Sequence, residues 1–414
     1  MSDGTQSAPA RPSANALHHR QFVFYWLASW AANFAVQIMS VSVGWQIYDI
    51  TRKPIYLGFV GLAQFLPPLL LVLVTGLVAD KFNRRLIMVL CMALEVGCAA
   101  ALLIFTLMSP AVVWPVFLIL AGLGLARAFY NPAADALAPN LVPREAIAHG
   151  ISLNSMSWQI ANIVGPVAGG LLYGLGGSAA YGVAVALLAV ALLLIGFIGR
   201  VAQPNHAEKT NLGTLLAGFK FIRSERIVLG AISLDLFAVL LGGAVALMPV
   251  YARDILAVGP WGLGLLRSAP GVGAIAMALW LAKFPIRNRA GIILFIFVAA
   301  FGLFTVVFGI SKSVPLSIAA LVVMGACDMV SVYIRETLMQ LWTPDEVRGR
   351  VNAVNRVFIG ASNELGEFRA GMVAAWLGAV AAVTIGGAGT MGVAALWARI
   401  FPELRTAQRL DRGR

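Results

Sequence analysis

Ionisable side chains inside long apolar runs are costly to keep there, so each one needs a reason. In this 414-residue chain the candidates are Glu95, Arg127, Asp235, Asp328, Arg335, Glu364 and Glu367, and Arg267, Arg356 and Arg369 are further intramembrane arginines that, with Arg127 and Arg335, hint at an anionic cargo. Two chemistries are open to them. A carboxyl in hydrocarbon favours its neutral form, so it can load a proton from one side and release it to the other when access changes. Alternatively, acids and arginines pair and hold helices together. Asp328 and Arg335 lie two turns apart on one helical face, and Glu364 and Glu367 lie one turn apart with Arg356 and Arg369 close by. For Asp235 and Asp328 both readings stand. For Glu364 and Glu367 static pairing with Arg356 or Arg369 is preferred, and Glu95 reads as hydrogen-bonded to a neighbouring helix. The histidines His18, His19, His149 and His206 fall in tails or loops, with no metal-ligand spacing beyond the adjacent His18-His19. There is no P-loop. Neither a metal, nor a cofactor, nor an enzyme is expected.

The elements that must hold these groups are membrane helices. Sixty per cent of the residues are apolar, 12% are charged, and the mean hydropathy is +0.86. Apolar blocks recur at about twenty residues, the length that crosses hydrocarbon as helix. Twelve spans follow: 22–48, 56–79, 86–107, 113–130, 151–175, 179–198, 227–252, 262–281, 291–310, 314–341, 351–376 and 378–397. The expected class is therefore an all-α integral membrane protein. The net charge of +12 falls mostly in alternate loops. Lys81, Arg84, Arg85, Arg144, the Arg200–Arg226 cluster, Lys283, Arg287, Arg289, Arg348, Arg350 and the tail from Arg399 share one side, against Arg52, Lys53, Arg253 and Lys312 on the other. The positive-inside rule then places both termini in the cytoplasm, and a bacterial inner membrane is the expected location. The basic charge is a topology signal, with no nucleic-acid partner expected. Cys91, Cys98 and Cys327 lie inside spans and read as packing residues. Trp26, Trp30, Trp45, Trp158 and Phe237 read as packing or interfacial anchors.

An internal repeat organises the spans. Residues 141–170 align without a gap on 342–371, matching Pro143 with Pro344, Asn154 with Asn355, Asn162 with Asn363, Gly165 with Gly366 and Gly170 with Gly371. Gly124 and Gly325 extend the match. The fifth and eleventh spans are then equivalent, and two pseudo-symmetric six-helix bundles relate by an axis along the membrane normal. The expected boundaries are a tail over 1–20, a first bundle over 21–200, a linker over 201–225 with an amphipathic helix at 212–222, a second bundle over 226–398 and a basic tail over 399–414. A polar pocket is expected between the bundles at mid-bilayer.

Two motifs point further. Gly76, Asp80, Arg84 and Arg85 surround the loop after the second span, where a glycine permits close helix approach and the basic pair anchors the turn. This segment resembles the signature loop of the major facilitator superfamily, departing at Asn83 where that family usually has glycine. The fifth span carries Gly165-Pro166 and Gly169-Gly170, a kink with close-packing glycines, and resembles the exporter-associated motif of the same superfamily. Nearly the whole chain is similar to the branch of that superfamily containing the enterobactin exporter, with residues 58–67, 343–352 and 358–367 the most telling. The resemblance implies a secondary transporter working by alternating access, a monomer that binds a small-molecule substrate and protons within the lipid bilayer. It favours efflux by antiport of a siderophore or drug-like compound. Uptake, lysolipid flipping and a sensor without transport are the alternatives. By the family's geometry, spans 1, 4, 7 and 10 line the cavity, which places Arg127, Asp235 and Asp328 best for coupling or substrate contact.

Overall fold

The computed structural model describes residues 15–108, 112–199, 212–286 and 288–406. Residues 1–14, 109–111, 200–211, Arg287 and residues 407–414, and with them most of both tails and the linker stretch around Gln203–His206, lie outside the described residues.

The long helices are α1 (Arg20–Thr51), α2 (Ile55–Lys81), α3 (Arg84–Met108), α4 (Trp114–Leu137), α5 (Ile147–Leu175) and α6 (Gly177–Gly196), then the short amphipathic α7 (Leu212–Ser224). After it come α8 (Arg226–Gly242), the single-turn α9 (Met248–Val250), α10 (Gly259–Lys283), α11 (Ala290–Ile310), α12 (Val314–Trp342), α13 (Asp345–Leu377) and α14 (Ala379–Ile400), with a last turn α15 (Pro402–Arg405). Among the described residues ten helical segments are long and apolar enough to cross a membrane. The two remaining long helices are α5 and α13, the repeat pair. Their polar residues face the interior between the bundles, which lowers their hydropathy without shortening them.

Within the first bundle α1 packs on α5 and α6, α4 on α2 and α3, and α3 on α6; within the second, α8 packs on α13 and α14, α12 on α10 and α11, and α11 on α14. Replacing each helix by its repeat partner converts one list into the other. The contacts between bundles obey the same exchange, α5 with α10 and α2 with α13. Matched glycines sit in matched surroundings. A methyl group at Gly124 would strike the Gln64 backbone of α2, and one at Gly325 the Pro270 backbone of α10. Gly165 abuts Gln37 of α1 as Gly366 abuts Leu240 of α8, and Gly170 meets Pro260 as Gly371 meets Pro54 and Gly58. Lipid supplies no hydrophobic drive between helices, so close contact of small residues does the holding. The α5–α6 and α13–α14 joints turn at Gly176 (φ 151°) and Gly378 (φ 87°), a left-handed region that glycine enters without steric cost.

The seventh span departs from the expected continuous helix. α8 stops at Gly242, Gly243 takes a left-handed φ of 38°, and the chain resumes through one 3-10 turn, α9 and a π-turn over Tyr251–Ile255. Pro249 has no amide to donate, so a regular ladder cannot continue through it. Helix α7 packs on α13 and α8, with Gly218 against the Arg350 carbonyl.

Candidate functional site

The bundles meet closely at one face and part at the other. At the closed face α1 and the π-turn after α9 exchange charges: Asp49 pairs with Arg253, Arg52 lies 3.6 Å from Asp254, and the Tyr48 hydroxyl donates to Asp254. Arg253 also lies 5.4 Å above the Trp45 ring. Sequence reasoning placed Arg52 and Arg253 only as topology signals; the missed cue was an acid near each of them. At the open face a cleft of about 730 Å³ separates α2 and α4 from α13, walled by Phe65, Leu69, Val72 and Val357, with Arg127 at its inner end and Arg356 at its mouth. Gly76 lines it too. Arg356 reaches Asp135 of α4 at 3.4 Å, an exposed pair spanning the bundles.

Arg127 also lines an inner cavity of about 240 Å³ with Gln37 and Ser40 of α1, Gln64 of α2, Arg267 of α10 and the acids Glu364 and Glu367 of α13. Both carboxylates end against Gly61, where a Cβ would lie 2.6 Å from Glu364 Oε2 and 3.2 Å from Glu367 Oε2. The preferred pairing of these acids with Arg356 or Arg369 is therefore corrected. Arg356 turns to Asp135, and Arg369 turns to α8, donating from Nε to the Leu240 carbonyl at 2.9 Å and from Nη2 to the Leu241 carbonyl. Those carbonyls belong to the last turn of the broken helix, which has no following amides to satisfy them. Arg267, read from the sequence only as an intramembrane arginine, faces both glutamates, and Arg127 faces Glu364 as well. Its Nη1 donates to Ser40 Oγ at 2.6 Å across the bundle interface.

One of the two readings open for Asp328 was a static pair with Arg335 on its own helix. Instead Arg335 pairs with Asp235 of α8 at 2.5 Å, both side chains being buried, and takes its Nε to Ser331. Two helical turns are about 11 Å of rise, too far for the intrahelical pair to beat a neighbour directly across the α8–α12 contact. Asp328 faces a separate cavity of about 190 Å³, bounded by the Gly242–Val245 break, Asn363 and Glu367. Glu367 is thus common to both cavities. Glu95 is buried in α3 behind Arg127, whose charge it faces.

The loop motif does structural work at the open face. Arg84, buried, donates to the Ala79 carbonyl at 3.4 Å and the Ala136 carbonyl at 3.0 Å, and Arg85 donates to the Gly196 carbonyl. The C-terminal ends of α2, α4 and α6 are thereby tied by two guanidinium groups, the favourable charge for three helix dipoles. Asp80 ends α2, but its side chain lies outside the described residues. In α5, Pro166 and Gly169 press against α10 and α1, while the Ile163 carbonyl accepts from Ser268 of α10 at 2.5 Å. The three cysteines are free and buried.

The sequence matches the family described as a transmembrane secretion effector over residues 12–412. It is 25% identical over 396 residues to the enterobactin exporter EntS of Escherichia coli O157:H7 (strain EC4115 / EHEC), covering 94% of this chain and 93% of that protein. The same figures hold for the enterobactin exporter EntS of Shigella boydii serotype 18. Among solved structures, the nucleoside transporter NupG superposes with a TM-score of 0.71 at 14% identity, covering 92% of this chain and 99% of that one. A bacterial homologue of the human lysosomal transporter Spinster, inward-facing and unoccupied, gives 0.69 at 16%, covering 94% and 96%. These structural likenesses concern the fold.

Proposed function

Because the chain belongs to the transmembrane secretion effector family and has the major facilitator fold, we propose that this multi-pass membrane transporter exports a small organic compound, siderophore or drug-like, in exchange for protons. One observation carries the reading. The inner cavity, sealed at the face of the Asp49–Arg253 pair, opens through the Arg127 cleft at the other and holds two carboxylates that both end against Gly61. Two acids at one point can share a proton, and only a group whose access alternates can turn proton binding into transport.

By the positive-inside rule the open face is cytoplasmic, with both termini on that side of a bacterial inner membrane. Cargo then enters between α2, α4 and α13, passes Arg127 and reaches the inner cavity. Protons arrive when the bundles rock about their α5–α10 and α2–α13 contacts and the opposite face opens. Glu364, Glu367 and Asp328 are the proton carriers of this scheme. Asp235, held by Arg335, serves as a fixed counter-charge. The relatives' cargo supports a siderophore as the first compound to try.

The test is transport in inverted vesicles with an imposed pH gradient, offering enterobactin and a panel of fluorescent drugs. Proton-driven accumulation that disappears in Glu364→Gln and Glu367→Gln is expected. Accumulation only when the gradient is reversed would make the chain an importer. Movement of lysolipid alone would make it a flippase, and movement of nothing would leave a sensor.

A further inference from the structure

Arg267 stands between two sets of partners that belong to different bundles. On one side are Glu364 and Glu367 of α13, in its own bundle. On the other is Ser40 of α1, which accepts its hydrogen bond at 2.6 Å. Its Nε is buried without a partner, so the guanidinium is not saturated where it lies. In this conformation, closed at the Asp49–Arg253 face, the charged donor is spent on a neutral hydroxyl across the interface while two carboxylates line the same cavity. An ionised carboxylate attracts a guanidinium more strongly than a hydroxyl does; a protonated one loses most of that advantage.

We propose that Arg267 is the positioning residue that converts the protonation of Glu364 and Glu367 into contact between the bundles. With the acids protonated, Arg267 stays on Ser40, ties α10 to α1 and holds the closed face shut. With the acids ionised, Arg267 is drawn back to α13, the tie to α1 is lost and that face is free to part. The sign suits an exchanger, since the protonated carrier faces the side where protons leave and the deprotonated one is released to carry cargo the other way. The surrounding charges are few. Arg127 of α4 faces Glu364, Asp328 of α12 shares a cavity with Glu367, and α1 and α2 present only the neutral Gln37, Ser40 and Gln64. This inference rests on the transport reading but is read out as a conformational equilibrium.

The experiment places spin labels at Asn83 and Asn288, exposed positions on the open face of the two bundles, and measures their separation in nanodiscs at pH 6 and pH 8.5. The wild-type chain is expected to favour the long separation at pH 6 and to shift toward the short one at pH 8.5. Ser40→Ala should cut the ratio of long to short separation at pH 6 about tenfold, the effect of losing one charge-assisted hydrogen bond, and Ser40→Thr should restore it. The Glu364→Gln/Glu367→Gln double variant should keep the long separation at both pH values. Ser40→Ala populations that track the wild type at both pH values, or a double variant with the full pH response, would overturn the proposal. A chain that rocks as described yet moves no solute in vesicles would overturn the transport reading alone.

Discussion

Helices α5 and α13 descend from one repeated segment, and their differences locate the chemistry. Both keep the glycines that let a neighbouring backbone approach, Gly165 with Gly366 and Gly170 with Gly371. Around those fixed points the first copy has Ile163, Pro166 and Ala168 where the second has Glu364, Glu367 and Arg369. The partners diverge likewise. α1 runs unbroken from Arg20 to Thr51, whereas α8 stops at Gly242 and is finished by the Arg369 guanidinium. Asn162 bonds across to Gln37; its counterpart Asn363 turns back onto the Ile359 carbonyl and leaves its side of the cavity to acids. In this segment a duplicated scaffold has kept its packing twice and placed its charges once. The first bundle brings Arg127 to the inner cavity, and the second brings Arg267, the paired acids and the broken helix beside them.

The sharpest way to break this comparison is to remove the charges of the second copy. Asp235→Asn strips the partner from buried Arg335 and is expected to cost about 3–5 kcal/mol, read as lost folded protein in detergent thermal unfolding. Asp328→Asn, which breaks no ion pair, should leave the melting midpoint near that of the wild type while abolishing proton-driven efflux. Equal loss of stability in the two would put Asp328 in a structural pair. Next in size, Arg369→Ala leaves two carbonyls of α8 without donors inside the bilayer and should destabilise by about 2–3 kcal/mol. Ala168→Gly at the matched place in α5 should cost about 1 kcal/mol or less. Comparable losses there would mean that α5 bears strain this comparison assigns to α13.

Much of this arrangement was legible before any coordinates. Apolar run lengths set the helices, and the ungapped match around Pro143 and Pro344 anticipated which helices would exchange places. The break in α8 was masked because Ile227–Ala252 reads as uniformly apolar; Gly242-Gly243 and Pro249 were visible, but the cap that makes the break tolerable comes from Arg369, far along the chain. Pairings were misread for a related reason. Sequence proximity favours partners on one helix, as with Asp328 and Arg335, whereas a buried charge takes whichever partner the packed neighbour presents, here Asp235. Arg267 was likewise invisible as a counter-charge, since its acids lie on a helix far along the chain.

Smaller effects sharpen the picture at the bundle contacts. Gln37→Ala removes one neutral hydrogen bond to Asn162 and should cost about 1 kcal/mol in unfolding, with transport retained. The closed-face pair is half exposed, so Asp49→Asn should change stability by less than about 1 kcal/mol. Yet cross-linking Asp49→Cys to Arg253→Cys should stop transport until reductant is added, because the bond would span the two bundles. Continued turnover in the oxidised double variant would show that this face need not part.

The two guanidinium groups behind α2, α4 and α6 have a mechanical consequence. Arginine keeps its charge throughout the range of pH in which a cell lives, so the clamp made by Arg84 and Arg85 cannot be loosened by acid or base. Three rods bolted at one end turn as a single lever. Bending must then be taken up where no such bolt exists, and the interrupted rod of the other bundle, with its glycine pair at mid-length, is the natural elbow.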